Sequence, residues 1–163
     1  MMLEELNQKM NLENIPISLK NALGEHNHLR DSILPSLMKN LSENQHNEYP
    51  QNIFEIGRVF SLGDEETGVE EKEKLAIVLC HEKTDFTEIR QVLENLLSSL
   101  GLKVQVKESE HLSYILGRVG EIFVKDKKIG FVGEIKPEVL LNWDLTIPVV
   151  SLELDLDIIY SLL

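Results

Sequence analysis

Few side chains in this sequence sit where reactive chemistry would need them. His26 and His28 form an H-x-H pair with His46 downstream. No second metal-like pair accompanies them, so they read as a polar loop and not a zinc site. Cys80 beside His81 has the residue types of a nucleophile and its base. Neighbours on a strand point to opposite faces, so the two are not expected to meet, and Cys80 reads as a small buried hydrophobe. Asp64, Glu65, Glu66, Glu70, Glu71 and Glu73 read as a solvated acidic loop. Gly117, Gly120, Gly130 and Gly133 lack the following G-K-[ST] of a phosphate loop and read as turn or close-packing glycines. Lys125, Lys127 and Lys128, with Lys136 nearby, are the one basic knot, and a solvated hairpin turn accounts for them.

The elements that must position these residues emerge from patterning. Ser32 to Gln45 predicts a helix, with Asp31 or Ser32 as cap, Pro35 in the first turn, and Leu34, Leu37, Met38 and Leu41 on one face. Asn52 to Phe60 is β-like, with Phe54, Ile56 and Phe60 on one face. Gly63 to Lys74 reads as a surface loop, and Leu75 to Cys80 as a central strand buried on both faces. Asp85 caps a helix reaching Leu100, with Glu88 at the capping-box position and Gly101 as the stop. Its apolar face is Phe86, Ile89, Val92, Leu93, Leu96, Leu97 and Leu100. Val104 and Val106 mark an outer strand. Val119–Val124 and Ile129–Gly133 form a hairpin over Lys125–Lys128, and Pro137 opens a short helix to about Trp143. Val149 to Leu156 is a strand, with Asp157 capping a final turn. The class is α+β, a mainly antiparallel sheet flanked by helices.

Bulk numbers exclude some functions. The 163 residues fit one domain with a real core. With 16 Lys and Arg against 28 Asp and Glu, the net charge is −12, which is wrong for the main grip on a nucleic acid. One cysteine allows no internal disulfide, and the first ten residues hold no apolar signal region. No apolar run is long enough for a bilayer. A soluble, cytoplasmic chain without a membrane partner is expected.

Four segments in order carry a resemblance. They are His28-Leu29-Arg30-Asp31-Ser32-Ile33-Leu34-Pro35-Ser36-Leu37, then Ile53-Phe54-Glu55-Ile56-Gly57-Arg58-Val59-Phe60, then Phe86-Thr87-Glu88-Ile89 with Val92, Glu94, Leu96 and Leu97. The last runs GRVGEIFVKDKKIGFVGEIKPEVLLNWDLTIPVVSLELDL from Gly117 to Leu156. Together they resemble the C-terminal synthetase-like domain of the phenylalanyl-tRNA synthetase β subunit, in the archaeal and eukaryotic wording. Departures are Lys136 where the family usually has His, Asp31 for Thr and Ser36 for Gly. Residues 31–163 are taken as that domain and 1–30 as an irregular remnant of the core start, with the long first helix of the class II core expected to be missing before Met1.

The resemblance implies a truncated class II synthetase catalytic-like fold. Family residues that it carries onto this chain are Arg30, Pro35, Phe54, Glu55, Gly57, Phe86, Glu88, Gly117, Arg118, Gly133, Glu134 and Pro137, with structural or interface roles. No catalytic, cofactor or metal residue is expected. Adenylate formation needs arginines that clamp phosphate in two places. Aligned with the first of those motifs, Ser61 stands where Arg is needed and Gly63 where Glu is needed, and no Arg follows Arg118 for the second. Arg58 offers either an ATP contact or, the better reading, a strand-edge ion pair, and Arg118 either a contact to the partner subunit or substrate or, the better reading, a pairing with Glu121, Glu134 or another carboxylate. By the same resemblance, the whole enzyme would use ATP and magnesium to charge tRNA(Phe), as two α and two β chains. This domain would buttress the α site and pack the subunit interface. The alternative is a free-standing synthetase-like binding or regulatory module without ligase activity.

Overall fold

The computed structural model describes residues 3–12, 17–18, 28–63 and 68–163. In chain order the elements are α1 (Leu3–Lys9), β1 (Ile17–Ser18), β2 (His28–Leu29), α2 (Leu34–Glu43), β3 (Gln51–Leu62), β4 (Val69–Cys80) and α3 (Phe86–Ser99). They continue with β5 (Val104–Glu108), β6 (Tyr114–Val124), β7 (Lys127–Ile135), α4 (Pro137–Asn142), β8 (Val149–Asp155) and α5 (Leu156–Tyr160). Six strands lie side by side in the order β3-β4-β8-β7-β6-β5, every neighbour antiparallel. β1 and β2 form a small separate ladder. This is the α+β architecture that the patterning predicts.

Alternation along the central strands splits the core in two. Val149 and its face-mates meet Leu34, Leu37, Met38, Leu41, Tyr114 and Trp143 on one side of the sheet. Val150, Leu152 and Leu154 meet Ile89, Leu93, Leu97 and Ile159 on the other. α3 behaves as its sequence predicts: Asp85 accepts from the Glu88 amide at 2.9 Å, and Ile89, Leu93 and Leu97 are fully buried. Gly101 comes just after the helix at φ 73°, the left-handed conformation that ends a helix at least strain in glycine.

Several expectations change. The acidic stretch is not all loop, because β4 begins at Val69 and pairs residue for residue with the far half of β3. Charge pairing permits this: Arg58 meets Glu71 at 2.9 Å, and Lys72 meets Glu70 at 3.1 Å. The rest of the run, residues 64–67, lies outside the described residues, as does His26. The polar first 30 residues contain α1, whose Leu6 is buried beside α2 together with Met10 just past its end. Two apolar positions one turn apart are too few to read as a helix; packing holds it. α2 is shorter than predicted and neither Asp31 nor Ser32 caps it. Asp155, not Asp157, caps α5, through the Ile158 amide at 3.0 Å, because β8 ends one residue before Leu156. Asp157 instead accepts from the Glu73 amide at 2.9 Å.

The hairpin turn is tighter than predicted. Lys125 and Asp126 both have positive φ, 49° and 65°, so two residues close it and Lys127 already belongs to β7. Among the described residues, no helix is long and apolar enough to cross a membrane.

Candidate functional site

The polar centre of the sheet lies on the α2 face, where β8 runs between β4 and β7. Glu153 of β8 is the hub. Its Oε2 accepts from Ser32 Oγ at 2.7 Å, from the Ile33 amide at 3.0 Å and from the Leu34 amide at 3.1 Å. Its Oε1 accepts from Lys74 Nζ at 2.8 Å, and the same ammonium reaches the Asp31 carbonyl at 3.2 Å. Four donors converge on this carboxylate, two of them amides at the head of α2. This is the cap that α2 lacks locally. A cavity of about 210 Å³ opens beside it, lined in part by Pro35, His111, Tyr114 and Phe131. A second, of about 350 Å³, continues towards Ser61, Lys72 and Lys128.

Nothing in these cavities forms a nucleophile and base. His111 Nδ1 accepts from the Ser113 amide at 3.2 Å, and its ring lies 4.9 Å from Tyr114 and 5.1 Å from Phe131. Burial lowers its pKa from the ordinary 6.5. The Tyr114 hydroxyl meets Ser151 Oγ at 2.9 Å, and burial pushes the phenol well above its usual range. The cations that line the trough are engaged. Lys74 holds Glu153, Lys72 holds Glu70, and Lys128 holds Glu121 at 2.7 Å. These residues do not fit a nucleoside triphosphate, which needs free guanidinium or ammonium groups facing its phosphates.

The arginines are committed in the same way. The chain has four, and each is paired with a carboxylate. Arg30 meets Glu55 at 2.6 Å and donates from Nε to the Arg58 carbonyl at 3.0 Å. Its guanidinium lies on Gly57, where any side chain would collide with it. Three of the family residues thus make one clamp on the edge of β3. Arg58 meets Glu71, and Arg90 meets Glu94 at 2.9 Å. Arg118 meets Glu134 at 2.7 Å, and the other oxygen of Glu134 accepts from the Phe86 amide at 2.9 Å. Arg118, Glu134 and Phe86 therefore form a second structural unit at the start of α3. Ser61 makes only a long contact, 3.5 Å, to Glu70 on the strand edge.

The other family residues serve packing or lie exposed. Glu88 does not close a reciprocal capping box; its Oε2 accepts from Thr84 Oγ1 at 2.8 Å and lies 2.8 Å from His81 Nε2. Pro35 and Pro137 sit in the first turns of α2 and α4. Gly117 has φ 77° beside a register shift between β6 and β7. Gly133 lies flat under the Tyr114 ring, where a Cβ would not fit. Phe54 is 70% exposed. His28 faces Glu4 at 3.4 Å. Cys80 is buried, and burial pushes its thiol up to about 11. Among the described residues no three His, Cys, Asp or Glu side chains gather as a metal site.

Glu153, Lys74 and His111 are what the sequence does not single out. The available signal for Glu153 was a lone acid inside an apolar strand, since an acid is rarely buried without a partner.

The antiparallel sheet thus carries a self-satisfied polar centre and two structural arginine clamps. Residues 1–156 match the model of the phenylalanyl tRNA synthetase beta chain CLM domain, and the chain belongs to that family. A phenylalanine–tRNA ligase beta subunit of Thermococcus onnurineus is 43% identical over 133 residues, which are 81% of this chain and 23% of the relative. That of Pyrococcus furiosus is 46% identical over 134 residues, 81% of this chain and 24% of the relative. That of Methanocella arvoryzae is 40% identical over 159 residues, 94% of this chain and 29% of the relative. The chain thus spans about a quarter of the length of these relatives. The resemblance read from the four segments is the family that the chain matches.

Proposed function

We propose that this domain is a non-catalytic, class II synthetase-like scaffold of a phenylalanine–tRNA ligase β subunit. It buttresses the active site of an α subunit and helps pack an assembly of two α and two β chains in the cytoplasm. The α chain holds phenylalanine, ATP and magnesium, and tRNA(Phe) is engaged by the complex. The observation that carries this is the state of the cations: all four arginines are committed to carboxylates. The lysine nearest the polar centre is locked to Glu153, which also closes the head of α2. Among the described residues of the polar centre, Lys74 is engaged and leaves no free cation for a developing phosphate charge.

Two experiments test the proposal. The chain alone is expected to give no phenylalanine-dependent pyrophosphate exchange above a protein-free blank, and Ser61→Arg is expected not to restore it. Measurable exchange by the unmodified chain overturns the non-catalytic part. Deleting the region that matches residues 31–156 from a full-length β subunit is expected to abolish co-purification with α. An active complex formed by the deleted subunit would overturn the scaffold part.

A further inference from the structure

At the β5 end, the α2 side of the sheet is open, basic and aromatic. α2 itself packs over β3 and β4, and Lys103, Gln105 and Lys107 are exposed. The register sets Gln105 opposite Phe123 and Lys107 opposite Glu121, then Phe123 opposite Lys128 and Glu121 opposite Phe131. Paired residues share a face, so Lys107, Phe123, Lys128 and Phe131 stand side by side across β5, β6 and β7. Lys107 Nζ lies 4.1 Å from the centre of the Phe123 ring, and Lys128 Nζ 4.2 Å from that of Phe131. Phe123 is only half-buried and packs into neither of the two cores.

The cations of this face differ from those elsewhere. Lys39, Lys72 and Lys74 each meet a carboxylate. Lys103 and Lys107 meet none among the described residues. Of the basic knot at the turn, Lys128 joins the face, Lys127 pairs with Val124 on the other side, and Lys125 donates to the Leu162 carbonyl at 2.9 Å. The acid within the face, Glu121, is held by Lys128 at 2.7 Å. Lysines on an edge strand hinder strand addition, which accounts for those of β5 but not for the two rings beside them. An acidic peptide would satisfy the lysines but has no flat group to take the place of an ammonium on a ring. A single-stranded polynucleotide has both parts: its bases stack on the aromatic rings of a sheet and its phosphates meet the cations.

We propose that an unpaired stretch of RNA lies across β5, β6 and β7, its bases stacking on Phe123 and Phe131 and its phosphates meeting Lys103, Lys107 and Lys128. A base displaces each ammonium from its ring, and the ammonium turns to the adjoining phosphate. On a chain of net charge −12 this is an accessory contact and not the main grip. The face itself stands apart from the scaffold reading. RNA as its ligand rests on that reading, which puts tRNA(Phe) on the complex.

The test is fluorescence anisotropy of a labelled oligouridylate of about twelve nucleotides, titrated with this chain over a range of salt. Phe123→Leu and Lys103→Gln/Lys107→Gln are compared with wild type, and Lys83→Gln, at an exposed lysine outside the face, is the control. Circular dichroism and urea midpoints of each variant are measured alongside. Wild type and Lys83→Gln are expected to bind equally. Phe123→Leu should bind roughly tenfold more weakly with its salt dependence unchanged, because a stacking ring is lost and no charge. The double lysine variant should also bind more weakly, and the slope of log K against log salt should fall by about 1.4, twice the 0.7 of one single-strand phosphate. No binding by wild type at low salt overturns the inference and leaves the scaffold reading, tested by exchange and assembly, standing. Unchanged binding by Phe123→Leu, or equal binding of the same oligouridylate paired with oligoadenylate, overturns the stacking platform. Displacement by polyglutamate as readily as by unlabelled oligouridylate assigns the face to an acidic peptide and overturns RNA.

Discussion

The two faces of the sheet are finished differently. On the side of α1, α2 and α4, the buried carboxylate of Glu153 satisfies a lysine, a hydroxyl and the first amides of α2. On the side of α3 and α5, the core is apolar and buried at its centre but ends in exposed Phe54 and Ile56. The first face is completed by the chain's own groups. The second is complete only where α3 and α5 reach. A domain that spends its polar centre on its own helix has no free charge there for a substrate, and one that leaves an apolar strip open has a surface for a partner.

The largest expected effect breaks the first face. Glu153→Ala leaves the Lys74 ammonium, only 24% exposed, without its carboxylate and the α2 amides without an acceptor. A loss of about 3–5 kcal/mol is expected from urea denaturation. Pairing Glu153→Leu with Lys74→Met should recover part of it, since no lone charge remains. An unchanged midpoint for Glu153→Ala would show that the hub is not what holds α2.

The matching blow to the second face is Leu93→Ala. Leu93 is fully buried, and about 2–5 kcal/mol should be lost with its side chain. Asp85→Ala on the same helix removes one local cap and should lower stability by about 1 kcal/mol. A loss as large as that of Glu153→Ala would erase the distinction between a local cap and a tertiary one.

His111 sharpens the comparison through pH. Its burial against the first face lowers its folded pKa below 6.5, with Lys128 and Lys136 adding to the effect and Glu153 opposing it. The unfolded chain therefore binds more protons as the pH falls through that range. Stability is full above the unfolded pKa and is lost as the pH drops from there through the folded value. His111→Gln should flatten the dependence, measured as urea midpoints across that window. The smallest stability effect is expected from Phe54→Ser, under about 0.5 kcal/mol, because Phe54 is already in water. A larger loss would mean that the strip is packed after all.

Two helix starts mark the reach of local signals. For α3, Asp85, Glu88 and Gly101 are within one helix of each other, so cap and stop were legible in the letters. For α2, the local candidates Asp31 and Ser32 were the natural expectation, but Glu153 supplies the acceptor from about 120 residues away. The shortage of arginines for a phosphate clamp was equally legible, because it is a matter of which residues exist. Which carboxylate each arginine meets was not: Arg118 takes Glu134, while Glu121 holds Lys128. The exposed face of β3 was also hidden. Alternation put Phe54 and Ile56 together, yet only the end of the helical layer decides that they face solvent. Capping, turn closure and periodicity act over a few residues, so the sequence determined them. The strand order β4-β8-β7 brings the two ends of the chain together, and it alone decided where the charges meet and which apolar face stays open.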